Sequence, residues 1–220
     1  MIARAPRTYA ALAAAAILAA GTAAHAGSTT YFSSGQTYTG LGSSPFAGTG
    51  NLIVESFDDG GVNSLMTAIG GSIKGPSSTT DSVDPGGSSY STTGRSMTFK
   101  FDAQGGARPT MAGLAWTDGR PNAMVTFRAW DASGNLIGKF SGRVGDLLRT
   151  SSSGEDRFFG IASEDGIAKI RISSSKRGFE VDHVQFAYGF SVVPVPPALG
   201  LGLAGLAGIG LLRRFSRKRD

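Results

Sequence analysis

The sequence predicts an all-β protein: a single β-sandwich over residues 27–191, set between an N-terminal signal helix and a C-terminal transmembrane helix. Three observations carry this prediction. Apolar residues in the middle of the chain recur with period 2 in short runs about ten residues apart, as in half-buried strands. Glycine, 33 of 220 residues, interrupts these runs together with serine and breaks any longer helical pattern. Both ends of the chain carry apolar stretches that differ in composition from the middle. Cysteine is absent, so disulfide frameworks, thiolate nucleophiles and thiolate metal sites are excluded.

Taken in chain order, Gly27 to Gly50 is rich in Ser, Thr and Gly and reads as a loose lead-in or an edge strand. Met97, Phe99 and Phe101 alternate with Thr98, Lys100 and Asp102, which gives a strand with one buried face. Leu114 to Trp116 forms the next strand, ahead of an expected turn at Thr117-Asp118-Gly119. Val125, Phe127 and Ala129 alternate with Thr126, Arg128 and Trp130. The loop Asp131-Ala132-Ser133-Gly134-Asn135 and the run Leu136 to Phe140 complete a hairpin. Ala168, Ile170 and Ile172 alternate with Lys169 and Arg171, and Val184, Phe186 and Tyr188 with Gln185 and Ala187. Gly61 to Ile69 and Val144 to Arg149 are the only segments expected to form short helical turns. A domain of this length buries a sizeable core without cross-links.

The net charge of +5 resides at the ends. Residues 1–26 carry Arg4 and Arg7 and no acid, and residues 192–220 carry five basic residues and Asp220. Between them, residues 27–191 hold 14 basic and 15 acidic side chains, a net of −1. A near-neutral body gives no electrostatic drive toward nucleic acid, and none is expected as a partner.

Residues 1–26 have the layout of a secretory signal peptide: basic Arg4 and Arg7, an apolar core from Tyr9 to Ala20, and Ala24-His25-Ala26 before the expected cut at Gly27. Signal peptidase is therefore an expected partner. At the other end no charged residue occurs between Ser191 and Leu212. The 15 residues after Pro197 make about 22 Å of helix. The Val/Pro stretch before them brings the length near a bilayer span. Arg213, Arg214, Arg217, Lys218 and Arg219 then stay cytoplasmic and the body faces outward. Gly200, Ala204 and Gly208 line one face of this helix at a spacing suited to close helix packing. The pattern G-x-G-x-x-G at Gly200 to Gly205 lies inside the apolar tail, without the strand a dinucleotide site needs.

The order Val193-Pro194-Val195-Pro196-Pro197, Gly/Leu-rich helix and arginine-rich end resembles a PEP-CTERM sorting signal, with Val195 where that family usually has Glu. The resemblance covers residues 193–220. It implies an exported protein of a Gram-negative bacterium, anchored transiently in the inner membrane by the C-terminal helix. An exosortase-like membrane enzyme would then process it and pass it to the envelope or extracellular matrix. Trp116-Thr117-Asp118-Gly119, Glu155 to Gly160 and Glu180 to Phe186 also resemble segments of exported PEP-CTERM proteins. That second resemblance implies a fold and not an activity: an eight-strand jelly roll, similar to galactose-binding-like and carbohydrate-binding-module sandwiches.

Glu55, Asp58 and Asp59 stand at the end of an early strand, and Asp182 near the start of the last. Phe179 and Val181 share one parity and Val184 and Phe186 the other, so a bulge or bend falls between them and turns Asp182 inward. Two readings follow. A structural calcium held by Glu55, Asp58, Asp59 and Asp182 would offset the cost of the buried carboxylate, as in the jelly-roll binding modules this domain resembles. Otherwise Asp182 accepts backbone N–H groups or pairs with an arginine. His183 beside Asp182 lacks a G-x-S-x-G nucleophile elbow and reads as a structural histidine.

Trp116 and Trp130, with Asp118, Arg120 and Asn122, have the composition of a sugar platform. The rival reading buries Trp116 in the core and lays Trp130 over the opposite sheet face. The function expected is that of an exported, non-enzymatic envelope or matrix protein. The alternatives are a carbohydrate-binding module for extracellular polysaccharide and a secreted glycoside hydrolase drawing on Asp118, Glu155, Asp156, Glu164 and Asp165.

Overall fold

A computed structural model describes residues 29–77, 83–84, 86–144 and 156–189. The signal peptide, the sorting motif Val193 to Pro197 and the basic cluster Arg213 to Arg219 lie outside the described residues, as do both expected flanking helices. Among the described residues no helix is long and apolar enough to cross a membrane. The expected helical turn at Val144 to Arg149 falls outside them from residue 145 onward.

The fold is all-β, with two antiparallel sheets facing each other as a sandwich. Its twelve strands among the described residues are β1 (Thr29–Thr37), β2 (Ile53–Glu55), β3 (Met66–Ile69), β4 (Ser72–Lys74), β5 (Ser89–Thr92), β6 (Ser96–Phe101), β7 (Met111–Gly119), β8 (Ala123–Trp130), β9 (Leu136–Val144), β10 (Arg157–Ser163), β11 (Lys169–Ser174) and β12 (Phe179–Ala187). Twelve strands among the described residues replace the eight expected, because the early region contributes β2 to β5, strands of three or four residues that are too short to show alternation. Gly61 to Ile69 forms a turn and then β3, not a helical turn.

One sheet has seven strands in the order β1-β10-β7-β12-β5-β4, with β2 also paired to β12. The other has five, in the order β3-β6-β11-β8-β9. The main core lies between them. Met97, Phe99 and Phe101 of β6, Val125, Phe127 and Ala129 of β8, and Ile170 and Ile172 of β11 meet Leu114, Trp116, Phe159, Ile161, Val184 and Phe186 from the larger sheet. The β8–β9 hairpin forms around Asp131 to Asn135, where Gly134 takes φ 85°. That left-handed conformation explains the glycine in this loop.

The two sheets differ on their outer faces. A second cluster, Tyr38, Phe46, Met111, Ala115, Phe158, Ala162 and Ala187, covers the middle of the seven-stranded sheet from the side opposite the main core. Tyr38 and Phe46 come from the lead-in segment after β1, which contains a 3₁₀ turn at Leu41–Ser43. All nine residues of β12 are therefore buried, on both of its faces. The five-stranded sheet has no such cover among the described residues. Its strands β6, β8 and β11 alternate buried and open positions along their length.

Candidate functional site

β12 gains one residue relative to β7: Asp182 lies opposite Ala115, and Gln185 opposite Gly113. This is the bulge expected from the parity change, and His183 within it has φ 44°, unusual for a residue with a side chain. Phe179 and Val181 before the bulge, and Val184 and Phe186 after it, all reach the main core. Asp182 is fully buried (0% exposed), as expected, but among groups of the lead-in side rather than in the main core. It accepts the N–H of His183 at 2.6 Å through Oδ1 and that of Val83 at 3.1 Å through Oδ2.

Around the bulge runs a chain of buried polar groups. Ser44 Oγ donates to Gln185 Oε1 at 2.6 Å, and Gln185 Nε2 donates to Tyr38 Oη at 2.7 Å. The Tyr38 hydroxyl lies 2.9 Å from His183 Nδ1, and His183 Nε2 lies 2.9 Å from Asp84 Oδ2. The directions fit together when Tyr38 donates to Nδ1 and Nε2–H donates to Asp84. Burial, and then the Asp182 carboxylate, push the Tyr38 phenol well above its ordinary range. A Tyr–His–Asp series resembles a proton relay in composition. Here His183 is 2% and Tyr38 1% exposed, and each polar atom is committed to a neighbour. The arrangement ties the lead-in to the last strand.

The four residues expected to hold calcium are not brought together, and among the described residues no group of three or more His, Asp or Glu side chains is placed to hold a metal. Glu55 accepts Phe57 N at 2.6 Å and Asn63 N at 2.5 Å. Asp58 accepts Ser88 N at 2.6 Å and Asp59 accepts Gly61 N at 2.8 Å. Glu55 and Asp59 hold nearby turns, and Asp58 ties its turn to the backbone of Ser88, 30 positions on. Asp182 takes the backbone N–H role of the second reading.

The expected sugar platform is also divided. Trp116 is 0% exposed and stacks on Phe179, with ring centroids 4.6 Å apart and planes at 12°. It belongs to the core because β7 continues through Thr117 to Gly119, and the turn falls at Arg120 to Asn122 instead. Asp118 stands opposite Glu180 in the seven-stranded sheet, and Arg120 is exposed in the turn. Trp130 lies on the other sheet, at the far end of β8, half-buried under the Lys169 ammonium at 4.5 Å from the ring centroid. Of the carboxylates considered for hydrolysis, Glu155 lies outside the described residues, and Glu164 and Asp165 are exposed in the β10–β11 turn.

What the structure assembles is the open face of the five-stranded sheet. Strand register aligns its outward residues in rows. One row runs Thr67, Lys100, Lys169, Trp130, Leu136. The next runs Ile69, Thr98, Arg171, Arg128, Lys139. A third consists of hydroxyls, Ser96, Ser173, Thr126 and Ser141, with Thr126 and Ser141 hydrogen-bonded at 2.9 Å. Beyond it Met124 stands opposite Arg143. Neighbours within a row are about 4.8 Å apart and rows about 7 Å apart, the ordinary strand spacing and two-residue rise. Thr98, Lys100, Thr126, Arg128, Trp130, Lys169 and Arg171 were legible as outward from alternation. Thr67 and Ile69, in a segment expected to be a helical turn, and the β9 positions were not, and the alignment of all of them required the strand order.

No protein-family model and no curated protein matches the chain. Among solved structures, the enzymatically active domain of tailspike protein 4 from bacteriophage CBA120 is similar over 60% of this chain and 20% of its own, at 15% identity and TM-score 0.33. A family 6 carbohydrate-binding module is similar over 63% of this chain and 94% of its own, at 17% identity and TM-score 0.33. A DUF4465 family protein from Bacteroides caccae is similar over 75% and 88%, at 12% identity and TM-score 0.32. The chain thus spans about a fifth of the tailspike domain. Likenesses at this level assign neither a ligand nor an activity.

Proposed function

We propose that this chain is an exported, non-catalytic β-sandwich protein of the cell envelope or extracellular matrix, and that it holds extracellular polysaccharide on the outer face of its five-stranded sheet. The observation that carries the reading is the contrast between the two outer faces. The seven-stranded sheet is covered at its centre, and its histidine and Asp182 are committed to structural hydrogen bonds. The five-stranded sheet presents rows of hydroxyl, guanidinium and ammonium donors beside one indole, groups suited to many weak hydrogen bonds with a hydroxyl-rich polymer.

The ends of the sequence supply the route in this proposal. Signal peptidase removes residues 1–26, and the PEP-CTERM-like tail holds the body on the outer side of the inner membrane until an exosortase-like enzyme processes it. Intact-mass measurement on protein from the producing cells tests the route. Loss of residues 1–26 and of most of the chain after Pro194 is expected, and a mature species that keeps Arg213 to Asp220 makes the tail a plain anchor. Co-sedimentation of the mature protein with the cells' own extracellular polysaccharide tests the binding. Protein that stays in the supernatant at every polysaccharide concentration refutes it.

A further inference from the structure

The near-neutral body conceals a separation of charge between the two sheets. None of β3, β6, β8, β9 or β11 contains an Asp or Glu. Their outward positions hold six cations: Lys100, Arg128, Lys139, Arg143, Lys169 and Arg171. The strand carboxylates Glu55, Asp118, Glu180 and Asp182 all belong to the seven-stranded sheet.

Register makes the separation sharper. Lys100 stands directly opposite Lys169, and Arg171, Arg128 and Lys139 are consecutive cross-strand neighbours. Like charges directly opposite on adjacent strands are destabilising. An array selected only for stability would alternate signs, or place carboxylates among the cations. Here the recorded ion pairs among the described residues, Lys74–Glu180 and His183–Asp84, involve none of the six. Arg171 Nη2 donates to Ser96 Oγ at 2.9 Å, Arg143 Nη1 to Asn122 Oδ1 at 3.2 Å, and Lys169 lies over Trp130. At the Lys100–Lys169 end, Asp102, Asp131 and Arg108 join them around a depression of about 310 Å³. Asp131 is engaged there by Asn135 N and Nδ2, both at 2.8 Å.

We infer that the ligand of this face is an anionic polysaccharide, whose carboxylates or sulfates neutralise the Lys100–Lys169 and Arg171–Arg128–Lys139 rows while its hydroxyls meet the Ser96–Ser173–Thr126–Ser141 row. This inference rests on the polysaccharide reading above and narrows its ligand. Arginine forks bind carboxylates and tetrahedral oxyanions alike through two parallel hydrogen bonds, and three of the six cations are arginines. The arrangement fits nucleic acid less well. Single strands stack their bases on several aromatic platforms, and this face has one indole, already under Lys169. Duplex recognition inserts a helix or a ribbon into a groove, and this is a sheet face of five strands.

The test uses the full chain and three immobilised polymers at 50 and 300 mM NaCl: polygalacturonate for carboxylate, dextran sulfate for sulfate and dextran as the neutral backbone. The variant R128Q/K139Q/R171Q removes the central row, and the control R95Q/R120Q/R177Q removes three loop cations. Binding to at least one acidic polymer is expected, weakened tenfold or more by the row variant, less than twofold by the control, and strongly by added salt. The row variant is expected to melt at the wild-type temperature or above it, since repulsion is relieved, so lost binding is not lost folding. Equal binding to dextran and the acidic polymers, or equal binding by the row variant, overturns the inference and leaves the polysaccharide reading in place. Binding to none of the three overturns the inference, and the polysaccharide reading then stands or falls by co-sedimentation with the cells' own polymer. Tighter binding to single-stranded DNA or to phosphatidylserine vesicles than to either acidic polymer, at equal salt, reassigns the face to that class and overturns the inference.

Discussion

The Tyr38 hydroxyl and His183 Nδ1 meet at 2.9 Å across 145 positions of sequence, and through them the lead-in segment is fastened to the bulge of the last strand. Tyr38 also receives Gln185 Nε2, so its hydroxyl serves two buried groups at once. Tyr38→Phe leaves both without a partner while keeping the ring against Phe158. A loss of about 1–3 kcal/mol is expected from denaturant unfolding. A change below about 0.5 kcal/mol, the usual range for a surface substitution, means the network does not hold the lead-in.

The same phenol sets an alkaline limit. Burial first, and then Asp182, raise the Tyr38 pKa above its ordinary value, and burial does the same for Tyr90 and Tyr188. A proton held more tightly in the folded state contributes stability that is fully present below about pH 10, the ordinary phenol value. That stability is lost as pH rises from there toward the folded-state value. Chemical unfolding measured between pH 8 and 12 is expected to show stability falling from about pH 10 upward. The slope is expected to be shallower in Tyr38→Phe, and equal slopes contradict the assignment.

Gly119 lies against the Trp116 ring. A Cβ added there falls 2.1 Å from the indole, which is pinned on its stacking partner Phe179. Gly119→Ala is expected to destabilise by about 1–3 kcal/mol, as overpacking of a filled core does. It is also expected to alter the near-ultraviolet circular dichroism of the buried tryptophan. An unchanged melting temperature contradicts this packing.

Calcium is expected to make no difference to stability. Glu55, Asp58, Asp59 and Asp182 each hold nearby or facing backbone N–H groups, and no three carboxylates converge among the described residues. Melting with excess Ca²⁺ and with chelator is expected to give one temperature. Asp182→Asn is expected to lower it equally in both, by disturbing the acceptors for His183 N and Val83 N. A chelator-sensitive wild type restores the calcium reading.

The strands with large apolar residues at alternate positions were legible in the sequence. Met97, Phe99 and Phe101 point into the core as their spacing requires, and so do Val125, Phe127 and Ala129. The bulge at Asp182–His183 was legible from the same parity. β12 was not legible as a strand buried on both faces, since Gln185 and His183 are polar. Their burial depends on Tyr38 and Ser44, which lie more than 140 positions away. Trp116 and Trp130 take the places that the rival reading of the sequence gave them, one in the core and one over the opposite sheet face. The register that sends them to different sheets comes from pairing with β12 and β11. The cationic face was hidden for a related reason. Net charge is a sum over the chain, whereas the field at a surface depends on which strands become neighbours.

The place of β12 also has a consequence in time. It is the last strand of the described chain, yet it lies inside the larger sheet, with β7 on one side and β5 and β2 on the other. Until Phe179 to Ala187 emerge from the ribosome, the halves of that sheet have nothing to join them. Such late, non-local pairing makes folding slow. The five-stranded sheet has all its strands before Phe179, so one layer of the sandwich can pair during synthesis while the other waits for the last strand.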